Sequence, residues 1–152
     1  MPNPVCMCTG IEFNGQRIRW TDHHPMLPVL MRDGSAEWCQ WGRPGVAWST
    51  DTPSGGLLSL EDIRARKWAR FHPKPVKIPA HAFLLLDSDD IEHWINIADG
   101  LAIQGAAISS PQMNGHKVET MPRLYIITIP ATNEIAKIHS RMPRLIKQDE
   151  LT

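Results

Sequence analysis

Apolar and polar positions alternate in several short runs, separated by turn residues. Ile11, Phe13, Ile18 and Trp20 are the apolar positions of a strand pair over 8–20. Asn14-Gly15 lies between them, a two-residue hairpin signal because both residues tolerate positive φ. A proline-rich link over 23–28 follows. Residues 29–31 read as a short strand, Arg32-Asp33-Gly34 as its turn and 36–41 as the returning strand. Alternation puts Glu37, Cys39 and Trp41 on one face of that strand and Trp38 and Gln40 on the other. The stretch 42–56 is a long loop rich in Gly and Pro, and loops of that length tend to carry function.

Helical signals occur twice. Ser59 as cap, with Glu61 and Asp62 in the first turn, predicts a helix over 58–71, ended by Pro73 and Pro75. Thr132 or Asn133 caps a second helix, whose stripe is Ile135, Ile138 and Met142 and which Pro143 stops. Between the two helices, 77–86 reads as a strand with a wholly apolar second half. A turn over 87–90, a strand over 94–97, a small apolar stretch over 101–109 and a polar loop over 110–120 come next. The strand 124–129 leads into the second helix. Many short strands with two separate helices and no regular βαβ alternation predict an α+β, strand-rich single domain.

Composition narrows the classes. Among 152 residues, hydrophobic content is 42% and charged content 21%, ordinary values for a globular chain. No apolar run approaches the roughly 18–20 residues of a membrane helix. The first residues lack the basic start and apolar centre of a signal peptide, so a cytoplasmic location is the default; no membrane and a monomer are also the expectations. Sixteen basic residues balance sixteen acidic ones, but unevenly along the chain. Arg64, Arg66, Lys67, Arg70, Lys74 and Lys77 form a basic stretch, Asp87, Asp89, Asp90 and Glu92 an acidic one. Lys137, Arg141, Arg144 and Lys147 make the tail basic again. Two basic segments that meet in space form a patch suited to phosphates; apart, they are solvated faces. An odd cysteine count (Cys6, Cys8, Cys39) argues against a disulfide framework. Those cysteines with His23 or His24 match no common zinc spacing, so neither metal nor cofactor is expected.

The segment Ala131-Thr-Asn…Ile138-His-Ser-Arg-Met-Pro143, preceded by the strand Leu124-Tyr-Ile-Ile-Thr-Ile129, resembles the C-terminal signature of the SOS response-associated peptidase (SRAP) family. Four further stretches follow the family's order. Met7-Cys8-Thr9-Gly10 is similar to its opening Met-Cys-Gly, and Pro25-x-x-Pro28-Val29 to its Ala-Pro…Pro-Val. Trp41-Gly42…Pro44…Trp48 is similar to Trp-Gly-Leu-Ile-Pro-x-Trp, and Ile78-Pro-Ala-His-Ala-Phe83 to Ile-Pro-Ala-Asp-Gly-Phe. The resemblance implies an SRAP-like, partly barrel-like β core over 8–147, with 1–7 as a leader or upstream extension.

Such proteins sense and shield abasic sites in single-stranded DNA through a terminal cysteine. Its amine forms a Schiff base with the opened sugar's aldehyde, and its thiol closes a thiazolidine ring. The resemblance makes Cys8 the nucleophile, exposed by a start at Met7 or by self-cleavage, with Cys6 second. Otherwise both are small hydrophobes of the first strand. His139 matches the family's acid–base histidine, and imidazole titrates near neutrality. Arg141 and Arg66 match phosphate-binding arginines. Trp41 and Trp48 are candidates for stacking on unpaired bases, or core aromatics. Two positions depart from the family: its asparagine aligns with Arg64, and its proton-shuttling glutamate with Leu85. Asp87, two residues on, would share Leu85's face. Binding without catalysis is the alternative that these departures favour.

Overall fold

Two β-sheets face each other across one apolar core, and the chain passes between them three times. The structure, a computed structural model, describes residues 9–43, 52–114 and 117–149, without the side chains of 110–121. In chain order the elements are β1 (Thr9–Phe13), β2 (Gln16–Arg19), β3 (Met26–Leu30), β4 (Ala36–Trp41), β5 (Leu57–Ser59), α1 (Leu60–Arg64), β6 (Lys74–Ile78), β7 (Ala82–Leu86), β8 (Glu92–Asn96), β9 (Leu101–Asn114), β10 (Lys117–Pro130), β11 (Arg141–Pro143) and β12 (Leu145–Lys147). Two 3₁₀ turns, Ala69–Phe71 and Asn133–Lys137, complete them. This is the strand-rich α+β architecture expected from the sequence. No helix among the described residues is long and apolar enough to cross a membrane.

The first sheet, in order β2-β1-β7-β8, is antiparallel throughout. Phe13 pairs with Gln16, which leaves Asn14 and Gly15 at φ 51° and 77° as the expected two-residue turn. The second sheet runs β12-β9-β10-β4-β3, with β5 and β11 also paired to β10 and β6 to β9. It is mixed, because β4 and β5 lie parallel to β10.

Strand β10 explains why its sequence lacks alternation. Leu124 and Ile126 point into the core between the sheets, against Ile11, Phe83 and Leu85. Tyr125 and Ile127 point the other way, onto Leu58 and Ile108, and Leu60, Ile63, Trp68 and Phe71 cover them. Burial on both faces calls for an unbroken apolar run. Each fully buried aliphatic there contributes about 1.5–3 kcal/mol. Close packing also decides Gly56: a Cβ on it would lie 2.5 Å from Trp41 Nε1 and 2.8 Å from the Trp20 ring.

Four local expectations are corrected. The helix over 58–71 begins as strand β5 and ends at Arg64, because Arg66 adopts φ 62°, outside helical space. The strand over 77–86 divides into β6 in one sheet and β7 in the other. Pro79, with no N–H to give a ladder, lies at the crossover. The polar loop over 110–120 is largely strand, as β9 and β10 continue to Asn114 and from Lys117. The helix over 132–142 is a 3₁₀ turn followed by β11. Thr132 makes no side-chain cap, and Asn133 sits at φ 52°. Met142 and Pro143 are claimed by ladder pairing to Ile129 and Thr128.

Candidate functional site

After β10 the chain turns and comes straight back as β11, which puts His139 at the corner. Its backbone N–H donates to Ile135 O at 3.0 Å, and Ala131 N–H donates to Ser140 O at 2.9 Å, closing the turn. Ile135 and Ile138 pack onto the core, so the apolar stripe serves a turn rather than a helix. The His139 ring is half-buried, with Nδ1 at 3.0 Å from Arg141 N and 3.1 Å from Arg141 O. The amide N–H can only donate and the carbonyl only accept. A neutral ring with a bare Nδ1 takes the first partner, and a ring protonated at Nδ1 takes the second. The same residue therefore anchors either protonation state. Nε2 has no hydrogen-bond partner among the described residues.

His139 and Arg141 line a small pocket with Thr9, Leu57, Leu85, Thr128, Met142 and Pro143. Its volume of about 30 Å³ suits one water or one small reacting group. Thr9 follows Cys8 in sequence. It is pinned to β7 by its register with Leu85 and by Oγ1 donating to Leu84 O at 3.0 Å. The first described residue of the chain and a histidine near its end thus meet at one place. No carboxylate stands among the described lining residues. Leu85, 5% exposed, occupies the wall where the resemblance puts a glutamate.

Arg141 is tightly held. One terminal nitrogen of its guanidinium donates to Glu61 Oε2 at 2.7 Å, and the other to Glu61 Oε1 at 3.1 Å. The latter nitrogen also reaches Thr128 O at 2.8 Å and Thr128 Oγ1 at 3.1 Å. These bonds from Arg141 lower the Glu61 carboxyl to about 2. The pair joins α1, where the first basic stretch begins, to β11 in the basic tail. Glu61 was legible only as a first-turn acid of a helix; nothing local marked it as a partner of Arg141.

The other described sequence candidates do not line this pocket. Arg66 is exposed in the turn after α1, and neither it nor Arg64 lines the pocket. Trp41 is a core residue: 2% of its surface is exposed, and its Nε1 donates to Gly56 O at 3.0 Å. That low exposure places the ring as a core aromatic, the other of its two expected roles, with one edge at the cleft described below. Its indole packs edge-on against Trp20, with centroids 5.3 Å apart. Asp87 does not replace the missing glutamate. Its carboxylate accepts from the N–H groups of Asp89 and Ile91 and meets His93 Nε2 at 2.8 Å, and the His93 contact lowers its pKa. Cys8, Cys6 and Trp48 lie outside the described residues.

A larger cleft of about 410 Å³ opens beside Trp41, lined in part by Trp20, His23, His24, Gln40 and Arg123. Arg123 donates to Gly42 O at 2.8 Å at its margin. Burial pushes the Cys39 thiol up, which makes it a poor nucleophile. Among the described residues no group of three or more His, Cys, Asp or Glu could hold a metal.

No protein-family model and no curated protein matches the chain. Among solved structures, the crystal structure of a protein from Bacteroides thetaiotaomicron, a structural-genomics target, aligns with a TM-score of 0.58 at 15% identity. The alignment covers 91% of this chain and 66% of that one. The chain thus spans slightly less than two thirds of that protein's length, and the likeness is one of fold.

Proposed function

We propose that this chain is an SRAP-like protein that binds single-stranded DNA at abasic sites and, when Cys8 carries a free amine, captures the site covalently. The observation that carries the reading is that Thr9 and His139 line the same pocket. The resemblance requires the cysteine and the histidine to act on one sugar, and residues at opposite ends of the chain meet in support of that.

Three chain elements would divide the work. His139 gives a proton to the ring oxygen as the bond from that oxygen to C1 breaks, and the C1 hydroxyl proton passes to water, leaving the aldehyde. The Cys8 amine attacks that carbon, and water leaves as the Schiff base forms. The thiol then adds across the C=N bond: a C–S bond forms and the thiol proton ends on nitrogen, closing the thiazolidine. Arg141 faces the backbone phosphate. With Leu85 in place of the glutamate, none of the described residues of the pocket wall supplies a carboxylate for the proton transfers of crosslinking and self-cleavage, so turnover is not expected.

Protein verified by mass to begin at Cys8 is incubated with an abasic single-stranded oligonucleotide. A heat-stable adduct that Cys8→Ala abolishes is the expected result. Absence of any adduct ends the covalent reading. The second reading, a relative that only binds, is favoured by Leu85 and by the engagement of Arg141 with Glu61. It predicts salt-sensitive binding of single strands with no adduct.

A further inference from the structure

We infer that Glu61 is a built-in competitor for phosphate: in the free protein its carboxylate occupies the Arg141 fork, and nucleic-acid binding exchanges it for a backbone phosphate. The inference rests on the proposed binding of single-stranded DNA and adds a residue that sets its strength.

The geometry carries the argument. Two parallel N–H···O bonds from Arg141 to Glu61 use the same planar fork that guanidinium offers a phosphate. Arg141 does not depend on Glu61 for its aim. Thr128 O and Oγ1 hold one terminal nitrogen, and β11 fixes the backbone. Removing Glu61 therefore leaves the fork where it is.

The pair is also open to exchange. The Glu61 side chain is 59% exposed and that of Arg141 29%. Solvent-accessible pairs of this kind are weak, so an incoming dianion or a row of phosphates can displace the carboxylate. Glu61 has an alternative partner in Arg64, three residues along α1, whose charge already acts on it. Finally, Arg141 lines the pocket with Thr9 and His139, so an anion on this fork sits beside the reacting atoms.

The test compares wild type with Glu61→Gln, which keeps shape and removes charge. Anisotropy of a labelled single-stranded oligonucleotide is expected to tighten about two- to fivefold in the variant, the range an exposed ion pair costs. That gain should shrink when Arg141→Gln is already present. Weaker or unchanged binding by E61Q overturns the inference and leaves Glu61 as a structural brace. A parallel titration with inorganic phosphate, read from the Arg141 backbone amide by NMR, needs no DNA. If neither protein binds the oligonucleotide, the proposed function fails. The phosphate arm then judges Glu61 alone: tighter phosphate in E61Q upholds the competitor, and equal affinity refutes it. Melting curves verify that both variants are folded.

Discussion

The ring of His139 is held by the backbone of Arg141, two residues on. Nδ1 lies within hydrogen-bond distance of both its N–H and its carbonyl oxygen. The pairing of β11 with β10 fixes that backbone, so the ring orientation is inherited from the sheet. An unpaired donor in a half-buried site costs more than a carbonyl with one contact fewer.

The neutral ring is therefore expected to leave Nδ1 bare for the Arg141 N–H and to carry its proton on Nε2. Long-range nitrogen–proton NMR spectra at alkaline pH distinguish the tautomers, and a neutral form protonated at Nδ1 would contradict the assignment. In the adduct assay, His139→Ala should slow capture about 10²–10⁴-fold, the usual worth of a positioned acid–base group, and leave affinity for intact single strands in place.

Trp41 is expected to matter for stability. Trp41→Phe loses the bond to Gly56 O and some packing against Trp20. The Gly56 carbonyl keeps Ile126 N–H at 2.9 Å, which limits the loss. A cost of about 1–3 kcal/mol follows, a fall in Tm of roughly 2–4 °C for each kcal/mol at this size. Binding of single strands by the folded variant should be unaffected. Lost affinity at unchanged Tm would restore the stacking role.

Tyr125 is the only tyrosine in the chain, so tyrosinate absorbance reports it alone. Burial pushes its phenol up to about 12, and the hydroxyl donates to Pro53 O at 2.7 Å. Because the folded state holds this proton more tightly than the unfolded one, the stabilisation is complete below pH 10.0 and is lost as pH rises from there through about 12. Absorbance near 295 nm should rise late and together with loss of near-UV circular dichroism. An early titration at the ordinary value with the fold intact would mean that the ring is not buried as described.

Glu61 works at the other end of the scale. Its folded pKa is depressed, so its contribution is present above about 4.5 and disappears as pH falls through about 2. Wild type should lose stability over that window more steeply than Glu61→Gln. Parallel denaturant titrations at several pH values give the two slopes, and identical slopes would mean that the Arg141 pair is not formed in solution.

The parts of the fold legible in the sequence are those specified within a few residues. Asn14-Gly15 permits one tight hairpin, and the turn and strand runs around 29–41 marked β3 and β4 to within a few residues. The apolar stretch from Leu124 to Ile129 stood out because both of its faces are buried. Local pattern misleads where a local preference competes with a partner far along the chain. Ile135, Ile138 and Met142 have helical spacing, but ladder bonds to β10 claim Met142, and a 3₁₀ turn suffices to seat the two isoleucines. His139 was found through its neighbours in sequence, whereas its ring anchor is visible only once β11 is seen as a strand.

The strand-rich class, the sharp turns and a short set of polar residues with chemical reach are all written locally along the chain. Alternation and turn propensity are local, so they survive without knowledge of the partner strands. The tertiary structure decided which of those residues meet. It set Thr9 beside His139, gave Arg141 to Glu61, sealed Trp41 in the core and left Leu85 in the pocket wall. Each follows from register between distant strands, where a shift of one residue turns every side chain to the opposite face.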